Sequence, residues 1–257
     1  MPGELEVRGL TKRFACSAVV DHVNFTLRPG EVTGYLGPNG SGKSTTIKMI
    51  TGLIPPTAGE VRYRGERIER HPMDYKRVLG YVPEEPWLYL HLTGGEYLEL
   101  AGQLRGIPAR KLQEKIREFL RLFALAGDRH ALLSSYSKGM RQKILLSAAL
   151  LHDPEIIILD EPFSGLDVNS ALVLKRLIQV LGEEGKIVLY SSHVLEVVEK
   201  VCTRVIILHQ GQVRADESVT QLRALMNLPT LEEIFSQLVV EQDTDAMARR
   251  IAGVMRL

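Results

Sequence analysis

Apolar positions in the first third of the chain recur with the two-residue period of strands. Leu5 to Val7, Val19 to Leu27 and Val32 to Leu36 alternate or run apolar between turn residues such as Arg28-Pro29-Gly30. Further strand-like segments, Glu60 to Tyr63 and Leu79 to Val82, follow the breaker run Thr51-Gly52-Leu53-Ile54-Pro55-Pro56. From about Glu85 the period changes to that of a helix. Between Ala109 and Leu125, Leu112, Ile116, Phe119, Leu120 and Phe123 form one stripe, with Arg110, Lys111, Glu114, Lys115, Glu118 and Arg121 opposite. Such a stripe faces a core. Short apolar strands return at Ile156–Leu159, Ile187–Tyr190 and Val205–Leu208, separated by helical runs at Ser170–Gly182 and Leu195–Val201. Alternation of this kind predicts an α/β fold built on a parallel sheet.

Composition narrows this picture only modestly. With 257 residues, 45% hydrophobic and 25% charged, the chain is an ordinary globular sequence, of a size for one large domain or two modest ones. The balance of 32 Lys plus Arg against 31 Asp plus Glu leaves no basic excess for general nucleic-acid binding, so none is expected. An anionic partner must be bound locally. The longest mainly apolar run, Ile144 to Leu151, is far short of the roughly 20 residues of a membrane span, and Met1 to Glu6 has no leader-like pattern. Only Cys16 and Cys202 are present, so a disulfide framework is not expected and both read as small buried side chains.

The candidate chemistry begins at Gly37-Pro38-Asn39-Gly40-Ser41-Gly42-Lys43-Ser44-Thr45, between the strand Val32–Leu36 and a helix carrying Ile47, Met49 and Ile50. This is G-x-x-x-x-G-K-[ST] in its required context. Glycines let successive amides converge on phosphate and the helix N-terminus adds favourable potential. Lys43 is placed to bridge the β and γ phosphates, and the Ser44 hydroxyl to ligate Mg²⁺. A second element, Ile156-Ile157-Ile158-Leu159-Asp160-Glu161, is a buried strand ending in two acids. At the carboxyl end of such a strand, Asp160 is expected to hold Mg²⁺ through water and Glu161 to polarise the attacking water.

From Leu5 to about Val213 the chain resembles the ATP-binding subunits of ABC transporters. Tyr136-Ser137-Lys138-Gly139-Met140, before the helix Ile144–Leu151, resembles the family's signature sequence. Ser164-Gly165-Leu166-Asp167 resembles its D-loop, and His193, after Tyr190-Ser191-Ser192, its switch histidine. Glu84, after Gly80-Tyr81-Val82-Pro83, stands at the Q-loop position, and Phe14 is placed like the aromatic that stacks on adenine. The resemblance implies a P-loop NTPase, RecA-like core with a parallel sheet, an antiparallel β subdomain and an inserted helical signature subdomain. The ATPase unit is expected over 1–215, the helical insert over about 86–153, and a C-terminal helical extension over 216–257.

The resemblance further implies that two chains, identical or different, meet head to tail. Each ATP then lies between one chain's phosphate loop and Ser137, Lys138, Gly139 and Met140 of the other, with His193 on the γ-phosphate and Asp167 against the partner's loop. Lys138 otherwise reads as a solvated helix-end charge. Glu84, Lys138 and Met140 depart from the usual glutamine, glycine and glutamine. These variants resemble the exporter branch whose ATPase and membrane permease are separate chains, which places the subunit on the inner face of the cell membrane. A carboxylate at position 84 loses the amide donors and is expected to contact Mg²⁺ or the attacking water, the alternative being a flexible joint to the helical lobe. A different class, an ABC ATPase switching nucleic acid or ribosomes, calls for tandem domains, a coiled coil or a basic arm. A P-loop kinase would lack the signature run.

Beyond the resemblance, Thr230 with Glu233 reads as a capping box, and Leu231, Ile234, Phe235 and Leu238 as one apolar stripe. A second stripe, Met247, Ile251, Val254 and Met255, carries Arg249, Arg250 and Arg256 on its other side. The two predict helices packed on the core or on a partner chain, with membrane-surface contact through the arginines as the alternative.

Overall fold

The computed structural model describes residues 3–15, 17–85, 87–192, 194–226, 228–239 and 254. Cys16, His193 and the arginines of the second C-terminal stripe lie outside them. The strands are β1 (Leu5–Phe14), β2 (Ser17–Leu27), β3 (Val32–Leu36), β4 (Ala58–Tyr63), β5 (Glu66–Arg67), β6 (Leu79–Val82), β7 (Ile156–Asp160), β8 (Ile187–Ser191), β9 (Arg204–His209) and β10 (Gln212–Ser218). The helices are α1 (Lys43–Ile50), α2 (Pro72–Val78), α3 (Gly94–Leu104), α4 (Ala109–Leu122), α5 (Lys138–Leu150), α6 (Val168–Glu183), α7 (Leu195–Val201), α8 (Val219–Met226) and α9 (Leu231–Val239). The boundary expected after residue 215 falls inside β10.

Two sheets organise these elements. One is antiparallel, in the order β2-β1-β4-β5; the other runs β10-β9-β3-β8-β7-β6, with β10 antiparallel to β9 and the remaining neighbours parallel. Central strands of the second sheet are covered on both faces, which is why β3, β7 and β8 read as nearly unbroken buried runs. One face packs on the antiparallel sheet and α1 through Ile158, Leu189 and Ile206. The opposite face packs on α5 to α9 through Ile157, Val188 and Ile207. Successive residues point to opposite faces, so a single strand feeds both layers.

A third cluster lies in the helical region, where Leu112, Ile116 and Leu120 of α4 meet Leu98 of α3 and Ile144 of α5. Each of these α4 side chains is at most 1% exposed, and burial of each contributes about 1.5–3 kcal/mol. Helix α5 joins the lobes, because Leu145 and Leu146 belong to the sheet core while Ile144 belongs to the helical cluster. Among the described residues, no helix is long and apolar enough to cross a membrane.

Candidate nucleotide site

Parallel register creates the site. Tyr35 of β3 pairs with Ser191 of β8, Ser191 with Asp160 of β7, and Leu159 with Val82 of β6. The carboxyl ends of four adjacent strands therefore deliver the phosphate loop, Ser192, Asp160 with Glu161, and Glu84 to one edge of the sheet. They line a common cleft of about 640 Å³. Gly37, Pro38, Asn39, Gly40, Gly42, Lys43, Ser44 and Thr45 form its floor. Ser41 is buried behind the loop and does not line the cleft.

Within the loop, Gly42 has φ 105°, and a Cβ there would lie 2.6 Å from the Val19 carbonyl oxygen. Both the backbone conformation and the space demand glycine at the N-cap of α1. Lys43 donates to the carbonyls of Gly37 at 2.6 Å and Pro38 at 3.1 Å, so the lysine bridges its own loop. Burial pulls its ammonium below the usual lysine range, against the opposing pull of Glu161, Asp160 and Glu84.

Asp160 is 3% exposed. Burial pushes its carboxyl above the usual aspartate range, and repulsion from Glu84 and Glu161 adds to the push. The neighbouring Ser191 hydroxyl and the Lys43 ammonium pull the other way without cancelling the rise. A buried acid beside the Ser44 hydroxyl and a phosphate loop suits a hard divalent cation that takes its remaining ligands from water and phosphate. Mg²⁺ fits this donor set, in which Ser44 and Asp160 would supply the protein oxygens and Glu84 lines the same cleft. Glu161 follows β7 with φ 48°, its amide donating to the Ser191 carbonyl at 3.1 Å. The Ser192 hydroxyl donates to Glu161 Oε2 at 3.4 Å. A non-glycine residue at positive φ is uncommon, and this one aims a carboxylate into the cleft.

The signature residues are arranged differently. Ser137 caps α5, accepting from the Met140 amide at 3.2 Å, and the first turn of α5 has no acidic residue to neutralise its positive end. A Cβ on Gly139 would lie 2.3 Å from the Gly165 carbonyl oxygen, so this glycine lets the signature and the Ser164–Asp167 loop touch backbone to backbone. Gln142 Nε2 donates to the Pro162 carbonyl at 3.1 Å, and Lys143 pairs with Asp167 at 3.2 Å. Asp167 also caps α6, and the Ser170 hydroxyl and amide, with Lys143, hold its carboxyl well below the usual range. Ser137, Gly139, Met140 and Asp167 do not line the phosphate-loop cleft. Lys138 lines an adjoining cleft of about 380 Å³ shared with Glu84, Glu161 and Ser192.

Phe14 stands at the β1–β2 turn, 52% exposed, with the Lys12 ammonium 5.3 Å from its ring centroid. It does not line the cleft; Val19 does.

The family model described as ABC transporter matches residues 20–164. The chain belongs to the ABC transporter family. Among its relatives, the ABC-type transporter ATP-binding protein EcsA of Bacillus subtilis is 35% identical over 92% of this chain and 97% of that protein. A solved structure of the ATP-binding subunit of an ABC transporter superposes with a TM-score of 0.86 at 35% identity, covering 91% of this chain and 98% of that one. The ATP-binding cassette MJ0796, solved as a dimer in a post-hydrolysis state with ADP and Pi, has a TM-score of 0.76 at 25% identity, covering 84% and 98%. The chain is thus an ATP-binding and ATP-hydrolysing subunit of an ABC transporter, with the α/β P-loop NTPase fold expected from its motifs.

The cleft also contains residues to which sequence reasoning gave no role: Val19, Ser191, Ser192, Leu195 and Phe235. Val19 and Leu195 open an expected strand and an expected helix but carry no distinctive chemistry. Phe235 reads as one member of a packing stripe, and only the folded chain shows that α9 reaches the cleft.

Proposed function

We propose that this subunit binds ATP on the Gly37–Thr45 loop and hydrolyses it only when a second ATPase chain, identical or different, completes the site. The observation that carries this reading is the division of the motifs within one chain. The phosphate loop, Asp160, Glu161 and Ser192 share a cleft, while Ser137 and Gly139 stand outside it at an uncompensated helix end. Head-to-tail pairing brings that helix end to the partner's γ-phosphate, where its dipole favours the charge. Lys43 exchanges its carbonyl partners for phosphate oxygens, and Ser44 and Asp160 hold Mg²⁺, with Glu84 close to it or to the water. Bound there, Mg²⁺ neutralises charge on the phosphates. Glu161 takes the proton of the attacking water, and His193 holds the γ-phosphate until cleavage releases it. Asp167, ion-paired within its own chain, contacts the partner's loop. Phe14 stacks on adenine from the hairpin turn, where its exposure leaves a face available.

In this reading the closing dimer drives a separate membrane permease, in the direction of export, from the cytoplasmic face. Supporting a protein partner near the site, Trp87, Tyr89 and Leu90 are 82%, 60% and 42% exposed directly after the Glu84 segment. The residues beyond β10, beginning with α8 and α9, act as a helical extension of the ATPase unit.

The test is Glu161→Gln. With ATP and Mg²⁺ the variant is expected to retain nucleotide, lose turnover by about 100-fold or more, and accumulate as a dimer in light scattering. Turnover at the wild-type rate contradicts the assignment of Glu161.

A further inference from the structure

The C-terminal helix α9 is fastened to the core by Leu231 and Ile234, both 0% exposed, and its N-terminus is capped by the Thr230 hydroxyl accepting from the Glu233 amide at 3.2 Å. It packs on α8 and on α7. Phe235, the next residue after Ile234, is only partly buried in that cluster and presents itself to the phosphate-loop cleft alongside Leu195, the first residue of α7. With Leu195 and Val19 it supplies apolar lining to the same cleft that the phosphate loop and the acids Glu84, Asp160 and Glu161 line.

The start of α7 is tied to the hydrolytic residues through a short relay. The Val194 amide donates to the Ser192 hydroxyl at 3.1 Å, and that hydroxyl donates to Glu161 Oε2 at 3.4 Å. The contacts running from α9 through α7 to Ser192 therefore end at the carboxylate assigned to the attacking water.

We propose that Phe235 is a positioning residue for hydrolysis: wedged beside Leu195, it holds the start of α7 so that Ser192 orients Glu161. The C-terminal extension thereby becomes part of the ATPase machinery. This inference rests on the assignment of Glu161 above. It predicts a specific split in kinetics. Because Phe235 shares the cleft with the phosphate loop, binding and positioning are told apart by kinetics: a positioning role leaves ATP affinity near that of wild type, since the phosphates are held by loop amides and Lys43, whereas a carboxylate displaced by a fraction of an ångström loses rate.

The experiment compares Phe235→Ala, Phe235→Leu and Glu161→Gln with wild type at a chain concentration where specific activity no longer rises. Phe235→Ala is expected to lower kcat about five- to tenfold while the ATP dissociation constant, measured by calorimetry, stays within about twofold. Phe235→Leu, which refills most of the wedge, is expected to restore kcat to within about twofold. An unchanged kcat for Phe235→Ala overturns the proposal. So does a loss confined to ATP affinity, or a loss with a lowered unfolding midpoint that leucine does not rescue. If Glu161→Gln turns over normally, the assignment of Glu161 fails instead; if it is inactive while Phe235→Ala is normal, only the role of Phe235 fails.

Discussion

The phosphate-loop region and the signature region are built on opposite principles. Around the phosphate loop, the cation, the buried acid and the glycine turn are gathered in one cleft: Lys43 is bonded to its own loop, Asp160 is buried, and the Val19 carbonyl leaves no room for a side chain on Gly42. Around Ser137 and Gly139, the chain supplies a positive helix end with no acid in its first turn, outside that cleft. In the proposed function the first region receives the nucleotide, and the second meets the nucleotide held by another chain. Under the proposed head-to-tail pairing, a chain that carries both in separate places is half of a composite catalyst, which accords with the dimeric cassette among its structural neighbours.

Damage to the receptor half has the largest effect. Lys43→Ala removes the loop's only side-chain cation and is expected to weaken ATP binding by about 100-fold or more in calorimetry, with the fold intact. Near-normal affinity would dissolve the distinction between the two regions. Damage to the other half is expected to spare binding and remove assembly. Ser137→Arg places a long side chain at the end of α5, so a single chain should bind ATP with affinity within about threefold of wild type, yet show no ATP-driven dimer in light scattering. Equal loss of both properties contradicts the division.

Much of the receptor half was legible from the sequence because its parts are contiguous and their geometry is dictated by local rules. The glycines of the loop, the strand before it and the four aliphatic residues before Asp160 specify backbone and burial over short stretches. Strand register then follows from parallel pairing. Less was legible where position depends on contacts distant in sequence. β1 continues to Phe14 through register shifts, well past Val7, and β10 and α2 were not anticipated. The Asp167–Lys143 pair and the touching backbones of Gly139 and Gly165 follow from the docking of α5 on the loop after β7, which no periodicity encodes. Phe235 is the extreme case, since an amphipathic stripe records that a helix packs but not what lies at the edge of its contact. His193 lies outside the described residues, so its role remains a proposal.

Glu84 sharpens the comparison, because it lines both the phosphate-loop cleft and the adjoining cleft bearing Lys138. Glu84→Gln removes one negative charge from the cluster that raises Asp160, and is expected to shift the Mg²⁺ concentration for half-maximal hydrolysis by about threefold or more. An unchanged Mg²⁺ titration assigns position 84 to the joint with the helical lobe instead.

The smallest effect is on stability, at the seam between lobes. His152 Nε2 lies 3.1 Å from the Leu79 carbonyl, and burial, reinforced by Arg105, pushes the imidazole down to about 4 from an ordinary value of 6.5. The folded chain therefore binds fewer protons than the unfolded chain between those values. The contribution is fully present above pH 6.5 and is lost as pH falls toward 4. Allowing for partial solvent screening, the loss amounts to about 1–2 kcal/mol. Urea unfolding at pH 7 and pH 5 should show a smaller difference for His152→Gln than for wild type; an identical difference removes His152 from the account.

The central claim is that one chain holds two half-sites that work only in a pair. Its most direct test is the specific ATPase activity of the wild-type subunit across a dilution series from micromolar to nanomolar chain, at saturating ATP and Mg²⁺. Composite sites predict that activity per chain falls steeply on dilution, and that a binding-competent but hydrolysis-deficient Glu161→Gln partner, added in excess, alters the activity of the diluted wild type. Activity per chain that stays constant down to nanomolar concentration, indifferent to the added partner, would contradict it.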